Sequence, residues 1–130
     1  MSARMGAGRG RVLLPGMTAA EIGMASAEDF RAMALGLPEA EQGGHFDVTD
    51  FRVRGRIFAT WREKDRRAVL KLTPDQQQLF KETAAGLFGP VAGSWGLKGW
   101  TLVALERIDA ATLGHAMQMA WRNAAPKSLA

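Results

Sequence analysis

The chain contains no cysteine and no tyrosine, and it has only two histidines, His45 and His115. The absence of cysteine excludes disulfide bonds and thiolate metal sites, and it is compatible with a reducing compartment. No apolar run approaches the roughly 20 residues that a membrane-spanning helix needs. The apolar piece at residues 12–14 is too short for the core of a signal peptide, so we expect a cytoplasmic protein.

Familiar catalytic motifs are also missing. The histidines form no His-x-x-x-His or Glu-x-x-His pair, and His45 and Asp47 stand two residues apart, a spacing that often arises by chance. Ser94 is flanked by Gly93 and Trp95 but lacks the G-x-S-x-G spacing of a nucleophile elbow. No glycine motif of the dinucleotide or P-loop type follows a predicted strand. We therefore predict no catalytic residue, no metal site, no cofactor and no enzymatic activity.

The remaining composition is that of one globular domain. The chain has 130 residues, of which 47% are hydrophobic and 23% are charged, enough to bury a substantial core. Residues 1–25 are rich in Gly, Ala and Met and are predicted to be a flexible N-terminal extension. Its three arginines leave open whether it touches DNA or is an unselected extension. We assign the domain to residues 26–124 and a C-terminal tail to residues 125–130.

Three helices are predicted from capping residues and apolar spacing. Ser26 and Asp29 resemble a capping box, whereas Thr73, followed by Pro74, and Asp109 are expected to cap the two later helices. The first helix must end by residue 37, because a proline follows. The last helix carries an apolar stripe with helical spacing, formed by Leu113, Ala116, Met117, Ala120 and Trp121.

Alternating apolar residues between the first two helices predict an antiparallel β-meander. Two glycines at residues 43–44 indicate a break, so a first short strand is expected at residues 45–49. Two longer strands follow, and a loop at residues 63–66 leads to a strand at residues 67–72. Residues 97–105 are predicted to form a further strand or strand pair. The expected fold class is α+β, with one compact domain that combines an antiparallel β-meander and flanking helices.

The register of the meander depends on its first loop. We prefer a three-residue loop at residues 54–56, because it pairs Val53 with Ile57 and Phe51 with Ala59 on one apolar face. A two-residue turn would mix polar and apolar side chains on each face. The opposite face would then carry Arg52, Phe58, Thr60 and Arg62.

The meander is strongly basic. Residues 52–71 contain eight basic and two acidic residues, a local charge of +6, whereas the whole chain carries +4. Such cations neutralise phosphates and release condensed counterions, and arginine pairs with phosphate through its planar fork. The predicted nucleic-acid-binding residues are Arg52, Arg54, Arg56, Arg62, Lys64, Arg66, Arg67 and Lys71.

The same cations also fit a solvated sheet face whose charged turns discourage edge pairing. Glu63 and Asp65 lie among them and would weaken a phosphate site. The two basic loops stand at opposite ends of the strand at residues 57–62, roughly 20 Å apart at about 3.3 Å per residue. They form one footprint only if the outward face joins them. We therefore predict DNA binding that is mainly non-sequence-specific and rests on phosphate contacts.

Four tryptophans offer a second interpretation. Trp61 lies on the inward strand face and Trp121 on the apolar helix stripe, so both are predicted to be core residues. Trp95 stands among glycines and is the best candidate for an exposed aromatic side chain, with Trp100 close by in sequence. The alternative function is a non-catalytic interaction module that binds a protein or a small ligand near Trp95 and Trp100.

The order of these elements and several short segments resemble the MmcQ/YjbR-like family. The resemblance covers residues 26–124 and implies a compact α+β domain whose sheet bears two wing-like hairpins, described as a double-wing DNA-binding fold. The long N-terminal extension and the arginine-rich second loop depart from the family pattern. The matching segments are Phe30, Leu37-Pro38-Glu39-Ala40, Phe51-Arg52-Val53-Arg54-Gly55-Arg56-Ile57-Phe58-Ala59, Val69-Leu70-Lys71-Leu72, Phe88-Gly89-Pro90-Val91, Gly99-Trp100 and residues 113–121.

Overall fold

The computed structural model describes residues 25–129, so the predicted N-terminal extension, apart from Ala25, lies outside the described residues. Within this range, no helix is long and apolar enough to cross a membrane. The elements in chain order are α1 (Ala27–Leu35), β1 (Ala40–His45), β2 (Val48–Val53), β3 (Arg56–Arg62), β4 (Arg67–Lys71), α2 (Pro74–Thr83), β5 (Phe88–Pro90), α3 (Ser94–Leu97), β6 (Trp100–Val103) and α4 (Ala110–Ala124).

One six-stranded sheet organises these elements, and all its neighbouring strands are antiparallel. The strand order is β1-β2-β3-β4-β6-β5, so the first four strands follow one another as a meander and β6 inserts between β4 and β5. The predicted α+β class with an antiparallel meander is therefore confirmed.

Helices α1 and α4 cover one face of the sheet, which we call the inner face. Helix α4 packs on β3 and β4, and Phe30 of α1 contacts the rings of Phe51 and Trp61. The predicted stripe of α4 is buried throughout, and the predicted core positions of Trp61 and Trp121 are confirmed. The three predicted N-caps are also confirmed by side-chain acceptors at the helix starts. The opposite face of the sheet is the outer face.

The predicted first strand was misplaced. Gly43 and Gly44 do not break the chain but lie inside β1, and the hairpin turns between His45 and Val48. Both glycines sit against the neighbouring strand. An added Cβ would lie 2.8 Å from the Asp50 carboxylate at Gly43 and 3.0 Å from a β2 carbonyl at Gly44. The glycines therefore permit close strand pairing here rather than ending the strand.

The predicted three-residue loop between β2 and β3 is also wrong. Arg54 and Gly55 alone form the turn, and both have positive φ, as a type I′ hairpin requires. A β-bulge then inserts one extra residue into β3, which restores the predicted pairing of Phe51 with Ala59. As a result Phe58 is buried in the core, whereas Ile57 lies on the outer face, the reverse of the predicted positions.

Candidate functional site

A groove of about 330 Å³ crosses the outer face of the sheet, between strands β3 and β4 and the short helix α3. We call it the outer groove. Its floor is largely apolar, and the two charged side chains that line it, Arg62 and Arg67, lie at one end. The lining residues are Val48, Ile57, Thr60, Arg62, Arg67, Val69, Val91, Trp95 and Trp100.

Strand pairing places these side chains. Arg62 pairs with Arg67 at one end of the groove, and Lys71 pairs with Trp100 toward the other end. Because alternate residues of β4 face the same side, Val69 lies on the outer face between Arg67 and Lys71. Four residues at about 3.3 Å each separate Arg67 from Lys71 by about 13 Å. The outer face of β4 therefore carries a cation near each end, with the apolar Val69 between them.

Two tryptophans form one wall of the outer groove. The rings of Trp95 and Trp100 meet edge to face, with 6.0 Å between their centres. Trp95 is 59% exposed, which confirms it as an exposed aromatic. The side-chain amide of Gln77 in α2 donates to the backbone carbonyls of Gly96 and Trp100, at 3.2 Å and 3.1 Å, and so ties α3 to β6.

Close backbone contacts explain the glycines around α3. A Cβ added at Gly96 would lie 1.9 Å from the carbonyl oxygen of Val91, and one at Gly99 would lie 1.8 Å from that of Leu72. Gly99 also has a φ of 108°, a region that favours glycine. These positions let α3 fold down beside β6 and carry Trp95 to the edge of the groove.

Half of the predicted phosphate-binding cations are paired with carboxylates. The nitrogen–oxygen distances are 2.7 Å for Arg52–Asp50, 2.5 Å for Arg54–Glu39, 2.8 Å for Arg62–Asp65 and 3.9 Å for Arg66–Glu63. Hydrogen bonds from the arginines lower the pKa values of Glu39 and Asp65. An incoming phosphate would have to compete with these carboxylates.

The other four predicted cations, Arg56, Lys64, Arg67 and Lys71, make no ion pair within residues 25–129. Lys71 is half-buried, and its ammonium group donates to the Lys98 carbonyl at 3.0 Å and lies 5.7 Å from the centre of the Trp100 ring.

Burial lowers the pKa of Lys71, and the nearby charges of Arg56 and Lys98 lower it further. We call Arg56, Lys71 and Lys98 the cation cluster. Lys98 also lies 5.6 Å from the centre of the Trp95 ring.

Several of these residues escaped the sequence analysis. Lys98 was missed because it reaches the site only through the fold of α3, and Ile57 because the bulge reverses its direction. The Arg54–Glu39 pair joins residues 15 positions apart, so no local pattern indicates it. Asp65, by contrast, was identified from the sequence, and the structure pairs it with Arg62.

The histidines lie apart from the outer groove. His45 is exposed in the β1–β2 hairpin, where its ring packs against the ring of Phe46 with 4.2 Å between centres. His115 packs against Phe80, with 5.7 Å between ring centres. Among the residues that the structure describes, no group of three or more potential ligands gathers as a metal would require.

Comparisons with known proteins agree with this architecture. No curated protein sequence matches the chain. A crystal structure of a Deinococcus radiodurans protein with a DUF419 domain is similar, with a TM-score of 0.64 and 21% identity over 76% of this chain and 78% of that chain. At this identity the likeness shows the fold alone. A family model described as YjbR matches residues 35–123, which is more than half of the chain. The chain therefore belongs to the YjbR family.

Proposed function

We propose that this protein binds DNA through the outer face of its sheet, mainly by contacts with phosphates. The observation that carries the proposal is the cation cluster beside the outer groove. The Lys71 ammonium lies 3.0 Å from the backbone carbonyl of Lys98, and its pKa is lowered by burial and then by the like charges of Arg56 and Lys98. None of the three has a carboxylate partner in the described residues. A bound anion would relieve this repulsion.

The other cations fall into two groups. Arg67, at the opposite end of the groove, has no carboxylate partner in the described part of the chain and would contact a second phosphate. The four paired arginines contribute less, because each must give up a carboxylate first. Such contacts position a protein on DNA but carry no sequence information. The resemblance to a family described as having a double-wing DNA-binding fold supports the same proposal.

The test is fluorescence anisotropy of labelled DNA at several salt concentrations. The variant Arg56→Gln/Arg67→Gln/Lys98→Gln removes cations of the outer face and leaves the half-buried Lys71 in place. We expect wild-type affinity to fall with salt with a log–log slope near −3, about one unit per phosphate contacted, and we expect the variant to bind weakly with a flatter slope.

The matched control is Arg31→Gln/Lys81→Gln/Arg122→Gln. It also removes three positive charges, but at exposed positions of α1, α2 and α4. We expect it to keep the wild-type slope. Absence of binding even at low salt would contradict DNA binding. Equal losses in the two variants would show that net charge, and not the outer face, attracts the DNA.

A small anionic ligand is a second candidate, favoured by the shape of the outer groove. Its volume of about 330 Å³ and its largely apolar lining fall in the range of small-molecule sites, about 300–1,000 Å³. Anilinonaphthalene sulfonate, an aromatic anion, is a suitable probe. Saturable binding that Trp95→Ala abolishes and duplex DNA fails to displace would favour this candidate over DNA.

A further inference from the structure

We infer that the DNA strand in the outer groove is unpaired and stacks a base on Trp95. This inference rests on the proposed function, and it adds the structural class of the nucleic acid and the side chain that contacts its base. Three features carry it: the exposed indole, the apolar floor of the groove and the position of the cations at both ends.

The indole of Trp95 is placed as a stacking platform. It keeps 59% of its surface exposed, whereas Phe51 and Phe58 in the sheet are fully buried. The Lys98 ammonium lies over the ring, 5.6 Å from its centre, so a base that stacks on this face would displace the ammonium, which could then pair with the adjoining phosphate. Stacking on aromatic side chains is how proteins hold single strands without sequence preference, because every base has a flat apolar face.

The apolar floor discriminates between paired and unpaired strands. Ile57, Val69 and Val91 line the groove beside Trp95 and Trp100. A duplex keeps its base faces stacked inside and presents mainly sugars and phosphates, which gain little from apolar side chains. An unpaired strand exposes its base faces, and their contact with the floor removes apolar surface from water. The lining therefore matches a strand whose bases are accessible.

The charges at the two ends match a polyanion that follows the groove. Arg67 lies at one end, and Lys71 and Lys98 of the cation cluster lie over the rings of Trp100 and Trp95 toward the other. Val69 stands between Arg67 and Lys71 on the outer face. Four strand residues separate Arg67 from Lys71 by about 13 Å, so cations and apolar surface alternate along one line. A single strand likewise presents a base between two phosphates, so its phosphates would meet the cations and its base would meet the apolar surface.

The test compares labelled oligothymidylate with a duplex of equal length in the same anisotropy assay. We expect the single strand to bind at least about 10-fold more tightly at equal salt. Trp95→Ala should weaken single-strand binding by about 5- to 150-fold, the equivalent of about 1–3 kcal/mol of stacking on one base, and leave duplex binding unchanged. Trp95→Phe should retain most of the affinity, because it keeps an aromatic face.

The control is Leu97→Ala, which truncates another apolar side chain of α3 that is 81% exposed and does not line the groove. We expect Leu97→Ala to bind the single strand and the duplex with the affinities of the wild type. Thermal unfolding of each variant verifies that the fold is kept. Quenching of tryptophan fluorescence by oligothymidylate, lost in Trp95→Ala, provides a second readout of stacking.

The outcomes separate the two proposals. Duplex binding as tight as single-strand binding would overturn the inference and leave the proposed function intact. A Trp95→Ala variant that binds like Leu97→Ala would overturn stacking. If neither strand binds at low salt, the proposed function fails, and the inference with it. Oligouridylate is measured in parallel, because unpaired RNA shares this chemistry. Tighter binding of the uridylate strand would overturn DNA as the preferred ligand.

Discussion

Arg62 holds Asp65 through two hydrogen bonds, from Nε at 2.9 Å and from Nη2 at 2.8 Å. This forked geometry is the one that an arginine would offer to a phosphate. The bonds lower the pKa of Asp65, so the carboxylate stays charged at neutral pH. One end of the outer groove therefore carries an arginine whose fork is already occupied.

Removing this competitor should strengthen DNA binding. In Asp65→Asn the loop loses a negative charge and Arg62 becomes available, so we expect higher affinity at low salt and a salt slope steeper by about one unit. Glu28→Gln is the control, since it breaks a similar pair, Glu28–Arg31, on α1 at the inner side of the sheet. Anisotropy titrations that show equal gains in both variants would contradict a specific role for Arg62.

The β-bulge in β3 predicts opposite effects at two adjacent residues. Phe58 is fully buried, so Phe58→Ala should lower the free energy of unfolding by about 3–5 kcal/mol. Ile57 is only partly buried in the outer groove, and Ile57→Ala should cost less than about 2 kcal/mol. Urea denaturation of both variants measures the difference. The larger loss at Ile57 would mean that β3 has the regular register, without the bulge.

Two glycines should respond in opposite directions to the same substitution. Gly99→Ala places a Cβ against the Leu72 carbonyl at a φ of 108°, so it should destabilise the protein by more than about 1 kcal/mol. Gly114 lies in α4 with open space around the added Cβ, so Gly114→Ala should stabilise it by about 0.5–1 kcal/mol. Thermal unfolding of the two variants measures these changes. A Gly99→Ala variant as stable as the wild type would contradict the close packing of α3 beside β6.

The N-cap of α4 should make stability depend on pH. The hydroxyl of Thr112 donates to Asp109, and this bond, with backbone N–H donors, holds the pKa of Asp109 below its ordinary value of 3.8. Because the pKa of Asp109 is lowered in the folded state, the bond stabilises the fold at pH values above the ordinary pKa of 3.8. This stabilisation is lost as the pH falls through the folded-state pKa.

Asp109→Asn keeps a capping side chain but does not titrate. Its deficit in unfolding free energy relative to the wild type should therefore be largest at neutral pH and shrink in acid, as denaturant unfolding at both pH values would reveal. Thr112→Val removes the largest cause of the pKa shift and should itself weaken the pH dependence. A deficit that grows in acid would contradict a lowered pKa of Asp109 in the folded state.

The correct sequence predictions rest on local signals. Ser26, Thr73 and Asp109 cap helices through bonds to residues three positions away, and the stripe from Leu113 to Trp121 repeats with the period of one helix. The meander and its fold class follow from alternation over short strands. These signals are complete within a few residues, so a sequence contains all that is needed to recognise them.

The errors arise where long-range packing overrides the local pattern. The alternation through Ile57 and Ala59 is regular, and only the pairing with β2 shows that Phe58 is an extra residue that turns inward. Gly43 belongs to β1 because it pairs with Asp50 of β2, a residue seven positions away whose side chain leaves no room for a Cβ. For the site, the exposure of Trp95 followed from its glycine neighbours, whereas Lys98 joins the cation cluster only once α3 has folded beside β6.

The two edges of the sheet differ in their capacity to recruit another chain. Strand β5 has only three residues and ends at Pro90, which has no N–H to offer, and edges of this kind resist pairing. Strand β1 has six residues and forms the other edge. Within residues 25–129, β1 is therefore the edge more open to lateral growth of the sheet, whether by self-association or in aggregation. Since β1 does not line the outer groove, a molecule that extended the sheet there would leave the groove open to its ligand.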